Sequence, residues 1–242
     1  MPGGSDDTAG DTPAARPSAP PSRPASSAAR ESRPELPTYG ASGSELPTLE
    51  SSTAHTSSTR ETLFGFMTGR QAGGALGDGD RSAQLIAAYG ASRRDPDRPD
   101  TAAAAKGLGV STRSVQRWLK GGGISAGHAD KLRTVSRQAM TTKRGRERAA
   151  RLAGAPKLPP GRNAVTVTGE QGVISGDTGN YRTRDSTVQF TNADLQTMQQ
   201  LWVEHGEDGA AAFLHQHFGQ HYVEGWHFRS IDEISWGESS MY

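Results

Sequence analysis

The sequence predicts a mainly α protein with a small α+β domain at its C-terminal end, a helix-turn-helix DNA-binding module in the middle and a disordered tail in front. Three observations predict this. Residues 1–60 are rich in Pro and Ser and poor in core-forming side chains, residues 81–160 hold short capped helices with a large basic surplus, and the pattern changes to period two after Asn163. Of 242 residues, 33% are hydrophobic, and the chain has 30 Gly and 14 Pro. So little apolar surface cannot order the whole chain, because burial has to offset the entropy lost on folding. The absence of cysteine excludes a disulfide-stapled secreted domain, a thiolate metal site and a cysteine nucleophile. No window approaches the roughly 18 consecutive apolar residues of a membrane span, and the N-terminus lacks a signal-peptide pattern. A soluble, cytoplasmic protein with no membrane partner is expected.

The net charge of +1 conceals a division along the chain. Residues 91–162 carry 17 Lys and Arg against 5 Asp and Glu, a surplus of 12, whereas residues 163–242 carry 3 against 11, a deficit of 8. The basic block is the electrostatic footprint of a nucleic-acid binder, which would place the protein on the nucleoid. The acidic block would repel a phosphate backbone and should face something else.

Residues 1–80 read as a disordered tail and linker. Residues 1–60 hold 9 of the prolines and 12 serines, with only Met1, Leu36, Tyr39, Leu46 and Leu49 as large apolar groups. The repeated Glu35-Leu36-Pro37 and Glu45-Leu46-Pro47 offer a docking motif, against coincidence in a low-complexity segment. Leu63, Phe64, Phe66 and Met67 form a small cluster before the run Gly73–Gly79, which lacks the ending of a phosphate-binding loop and reads as a linker.

Residues 81–160 carry the helical module. Leu85, Ile86 and Tyr89 have helical spacing. Asp100-Thr101 caps a helix from Ala102 to Leu108, Gly109 supplies the positive φ of a turn, and Ser111 caps a second helix to Lys120. Ala105 is small where two helices cross, and Leu108, Val110, Val115 and Trp118 are apolar where the pair shares a buried face. The second helix then projects Ser111, Thr112, Arg113, Gln116, Arg117 and Lys120 toward base edges and phosphates in a major groove. A third, very basic helical stretch, Ala129 to Ala153, includes Lys131, Arg133, Arg137, Lys143, Arg144, Arg146, Arg148 and Arg151. It reads as an arm that tracks phosphates, with Arg144 and Arg148 among the DNA contacts, against the alternative of a solvated helix face.

Residues 161–242 form the α+β domain. Val165-Thr166-Val167-Thr168, Gly172-Val173-Ile174 and Thr187-Val188-Gln189-Phe190 alternate as short strands separated by turns. Thr191 or Asn192 caps a helix to about His205, Gly206 breaks it, and a second helix runs toward Tyr222. Trp226, Phe228, Ile231, Ile234 and Trp236 close the chain. His217 and His221 have the spacing of a metal pair, yet no cysteine or carboxylate completes a set, so packed or exposed histidines are expected, and no cofactor. No nucleotide loop, paired carboxylate or catalytic triad pattern is present, which argues against an enzyme.

Taken in order, the stretch Val110-Ser111-Thr112-Arg113-Ser114-Val115-Gln116-Arg117-Trp118, the Arg-rich helix, the β-turn-β region, Thr187-Val188-Gln189-Phe190 and the helix pair with its aromatic-acidic end resemble the terminal-protein (Tpg-like) family of Streptomyces-type linear chromosomes and plasmids. The resemblance covers about residues 80–240, is specific in the helix-turn-helix and in Thr187 to Tyr222, and is loose between them. The tail and the Gly-rich run have no counterpart. The resemblance implies a telomere terminal protein that caps DNA 5′ ends covalently and primes end replication. It would be a polymerase substrate, not an enzyme, with Mg²⁺ entering only through the partner polymerase. In the family a threonine shortly before the strand receives the first nucleotide, and an ungapped register back from Thr187 puts Thr178 there. Flanked by Gly176 and Gly179, Thr178 would sit on an exposed turn, with Ser175, Thr183 and Ser186 as neighbouring hydroxyls.

The implied partners are telomeric DNA ends (single-stranded or folded 3′ overhangs), a DNA polymerase and a telomere-associated recruiting protein. Thr187 to Tyr222 also has the outline of a ribbon-helix-helix unit, expected to serve in homodimerisation or docking because its strand lacks outward Lys or Arg. The main alternative function is a helix-turn-helix transcriptional regulator with a C-terminal dimerisation domain. A plasmid partition or conjugation accessory protein is a third.

Overall fold

The computed structural model describes residues 53–78, 80–175 and 178–237. The reading of residues 1–52 as a tail, with its two Glu-Leu-Pro copies, lies outside them. Mostly helical, the described chain ends in a small antiparallel sheet.

The first element departs from the expected tail and linker. Thr53–Thr68 is a helix, α1, with Leu63 and Phe64 fully buried and Phe64 edge-on to Trp202 at 5.9 Å between ring centroids. The Thr59 hydroxyl donates to Ile231 O (3.1 Å) and accepts from Ile231 N (3.3 Å), while Arg60 forms an ion pair with Glu207. Its apolar residues look too few in sequence because their partners lie at the far end of the chain. The Gly-rich run is fastened too. The Glu61 carboxylate accepts from Gly74 N at 2.8 Å and Leu76 N at 2.7 Å, Ala75 is fully buried, and Gln84 donates to Gly77 O at 2.6 Å.

Helices α2 (Arg81–Tyr89), α3 (Thr101–Leu108), α4 (Thr112–Leu119) and α5 (Ala126–Thr141) follow. The single basic stretch expected from 129 to 153 is divided: α5 stops at Thr142, whose backbone is extended, and α6 (Lys143–Ala153) restarts with the Thr142 hydroxyl accepting from Gly145 N at 3.0 Å. A Cβ on Gly145 would collide with the Gln138 carbonyl, so glycine is what lets the two helix backbones meet this closely.

Strand β1 (Ala164–Ser175) is the sheet's centre. It pairs along its length with β2 (Thr178–Gln189), and its other edge takes β3 (Trp226–Phe228) beside Gln171–Val173 and β4 (Glu233–Gly237) beside Ala164–Thr168, all antiparallel. The strands expected around Val165 and Val173 are therefore one strand. Gly169, which looks like a turn residue, and Gly172 are places where other backbone approaches closely: a Cβ would strike the carbonyls of Ser230 and Asn180 respectively. Val165, Val167 and Val188 face inward, while Thr166, Thr168, Asp185 and Thr187 form a hydrogen-bonded polar ladder on the other face. The helices α7 (Asn192–His205) and α8 (Glu207–His221) meet at Gly206, and the Thr191–Asp194 capping box starts α7.

Two cores result. The larger joins α1, the sheet, α7 and α8 and includes Ala83 and Ala87 of α2 and Ala139 and Met140 of α5. The smaller contains Leu85, Tyr89, Ala104, Ala105, Leu108, Val115, Trp118 and Leu132. Helices α2 and α5 are walls of both. No helix among the described residues is long and apolar enough to cross a membrane.

Candidate nucleic-acid interface

The α3–α4 pair forms where the sequence signals it. Asp100 caps α3 by accepting from Ala102 N and Ala103 N at 3.0 and 2.9 Å, and Gly109 ends it in the left-handed region at φ 75°. Ser111 starts α4 by accepting from Ser114 N at 3.1 Å. Ala105 is buried at the crossing as expected, but the tightest approach in α3 is Gly107, where a Cβ would run into the Tyr89 ring of α2.

One side of α4 is closed and the other open. Val115 is fully buried and Trp118 nearly so, whereas Ser111, Thr112, Arg113, Gln116, Arg117 and Lys120 are exposed. Arg113, Gln116, Arg117 and Lys120 border one shallow surface depression. Arg113, Arg117 and Lys120 have no carboxylate partner among the described residues. The Ser111 hydroxyl is occupied by the cap and by the Ser114 hydroxyl at 3.0 Å, which limits it to a secondary contact. The end of α4 is pinned by Arg81, a residue that sequence reasoning did not single out. Its Nη1 donates to Gly122 O (2.9 Å) and Trp118 O (3.4 Å).

The basic arm is a correction in part. Arg146 turns inward, 6% exposed, and donates to Val203 O (3.2 Å), Met140 O (3.3 Å) and Glu204 O (3.5 Å). Those carbonyls close α7 and α5, so a guanidinium there answers the negative helix ends. Burial lowers its pKa, and the Glu207 carboxylate works against that. Lys143 pairs with Glu204 at 2.5 Å, and Arg133 with Asp78 at 2.9 Å. Arg144 and Arg148 stay exposed on α6, away from α4 in the chain, and border a cavity that also contains Arg70.

Thr178 is the first residue of β2 and the register partner of Ser175. Its side chain and residues 176–177 lie outside the described part. The strand expected to pair with a second copy is paired with β1 instead, and the Tyr222 hydroxyl covers its other edge at Thr187, donating to Thr187 O (2.7 Å) and accepting from Thr187 N (2.9 Å). His217 is buried with its Nε2 bonded to Gln189 O at 2.9 Å, whereas His221 is exposed with its Nδ1 bonded to His217 O at 2.8 Å. No family model, curated protein or solved structure matches the chain.

Proposed function

We propose that this protein binds DNA, with α3 and α4 acting as a helix-turn-helix and α4 entering the major groove. The observation that carries the reading is the two-sidedness of α4, with Val115 and Trp118 inward and Thr112, Arg113, Gln116, Arg117 and Lys120 outward and free of carboxylates among the described residues. A helix of 8 residues is about 12 Å long, close to the groove's width. Arginine and glutamine at adjoining turns can donate to guanine and adenine edges, while Lys120 reaches phosphate. The local surplus of 12 positive charges supplies attraction independent of sequence.

The resemblance to terminal proteins extends the proposal to a nucleoid-associated protein that caps linear DNA and primes its replication. In that reaction the Thr178 hydroxyl oxygen attacks the α-phosphorus of a deoxynucleoside triphosphate, a threonyl phosphodiester forms, pyrophosphate leaves and the hydroxyl proton passes to a base of the polymerase. The polymerase brings the metal chemistry. What supports this step is the position of Thr178 at one end of the long β1–β2 hairpin, where the neighbouring Ile174 is 41% exposed. The end of a hairpin is a place that another protein's active site can engage. The test is transfer of a labelled deoxynucleotide to the protein in a host extract with Mg²⁺ and a telomeric template. Label on the wild type and none on Thr178→Ala is the expected result. Label on both moves the primer to Ser175, Thr183 or another hydroxyl. With no label on either in an active extract, priming is refuted and the transcriptional regulator takes its place.

A further inference from the structure

Arg70 is the least expected charge in the molecule. It follows α1, is 8% exposed, and its side chain has no hydrogen bond or ion pair among the described residues. A guanidinium cannot shed its proton at any ordinary pH, so burial leaves the charge in place and uncompensated. Burial and then the nearby Arg148 both push its pKa down, and both effects mark an unfavourable environment for a cation. Tyr89 feels the same charge: burial raises its pKa and Arg148 opposes that.

The reason for tolerating this lies in the cavity that Arg70 lines. About 300 Å³ in volume, it is bounded by α2, α5 and α6, with Arg70, Arg144, Arg148, Gln138 and Thr142 contributing polar groups and no carboxylate on its walls. Thr142, Arg144 and Gly145 at the start of α6 border it, and the helix start adds partial positive charge there. Three guanidiniums and a helix start without an acid form a site for an anion. Part of the wall is apolar: alanines of α2 and α5, Val135, and Leu152, which is 56% exposed. Bare phosphate has no use for such a wall, but an esterified phosphate carrying a sugar or base does.

We propose that this cavity binds the phosphoryl group of a nucleotide, with Arg70 as its buried anchor and Arg144 and Arg148 as the exposed clamp. The phosphate belongs either to a free deoxynucleoside triphosphate or to the DNA backbone, and the chemistry of recognition is the same. The site is separate from α4 and stands whether or not α4 reads DNA.

The experiment uses the full chain at constant ionic strength, titrated calorimetrically with deoxythymidine triphosphate and with a short thymidine oligonucleotide. Wild type, Arg148→Gln, Arg144→Gln and Arg70→Gln are compared with an Arg113→Gln/Arg117→Gln control on α4. Loss of one charge-assisted contact should weaken binding about tenfold. Triphosphate binding that survives in the α4 control and falls tenfold in Arg148→Gln assigns the site to free nucleotide. Failure to bind triphosphate, with oligonucleotide affinity falling tenfold when Arg148→Gln is added to the α4 control, assigns it to backbone phosphate. Equal binding of both ligands by wild type, Arg144→Gln and Arg148→Gln overturns the proposal. Those two positions are exposed, so the test does not depend on Arg70→Gln folding. Unaltered binding of a duplex oligonucleotide by the α4 control would instead refute the role of α4 and leave this site standing.

Discussion

The smaller core and the larger one are built from contacts of different range. Between Leu85 and Leu132, helices α2 to α5 close on one another within one short stretch of chain, using caps at Asp100 and Ser111 and a turn at Gly109. In the larger core, Thr59 bonds Ile231 across 172 positions, Arg60 meets Glu207, and α1 rests on α8 and the closing strand. The first region carries the proposed DNA face and the second holds it in place, because α2 and α5 belong to both. A short-range unit can present α4 accurately, while the long-range unit determines whether the chain folds.

The strongest way to break that division is to cut the larger core at Trp202, which is 1% exposed and in contact with Phe64. Trp202→Ala should lose about 3 to 5 kcal/mol in urea unfolding. Leu108→Ala, at a position 3% exposed in the smaller core, should lose about 2 to 3 kcal/mol. Both should leave a single transition, since α2 and α5 tie the cores together. A separate early transition for Leu108→Ala would show that the helical region unfolds independently.

Acid should act through the larger core. His215, packed against His227 at 4.1 Å between ring centroids, is 8% exposed, and its Nδ1 has no hydrogen-bond partner among the described residues. Burial, then the neighbouring His227, pushes its pKa from 6.5 down to about 3. Between those values the unfolded chain takes up a proton that the folded chain refuses. Stability is therefore intact above about pH 6.5 and falls as the pH drops toward 3, by an amount on the order of a few kcal/mol. Urea unfolding across that range checks this, and His215→Asn should flatten the profile.

The same difference in range decides what could be read in the sequence. Asp100, Gly109, Ser111 and Gly206 act within one turn of themselves, so the helix boundaries around α3, α4 and between α7 and α8 are legible. Thr191 likewise announces α7. Phe64 gives no such notice because its partner Trp202 is remote, which is why α1 reads as linker. Gly169 mimics a turn because a close backbone approach and a tight bend both call for glycine. At the candidate sites, the outward row of α4 follows from helical periodicity and the caps. Arg81 and Arg70 do not, since nothing near them in sequence distinguishes a clamp or a buried anchor from a solvated charge. Arg146 shows the converse, a basic residue in a basic run that turns inward to close two other helices.

The central claim is that α4 is the DNA-reading face, and the salt dependence of DNA affinity tests it most directly. Arg113 and Arg117 are exposed, so Arg113→Gln/Arg117→Gln should fold as the wild type does. The wild type should bind DNA with affinity falling steeply as salt rises. The double variant should lose about ten- to a hundredfold in affinity, with the slope of log affinity against log salt shallower by about one to two. Equal affinity and equal slope for the two proteins would contradict the account and move the DNA face away from α4.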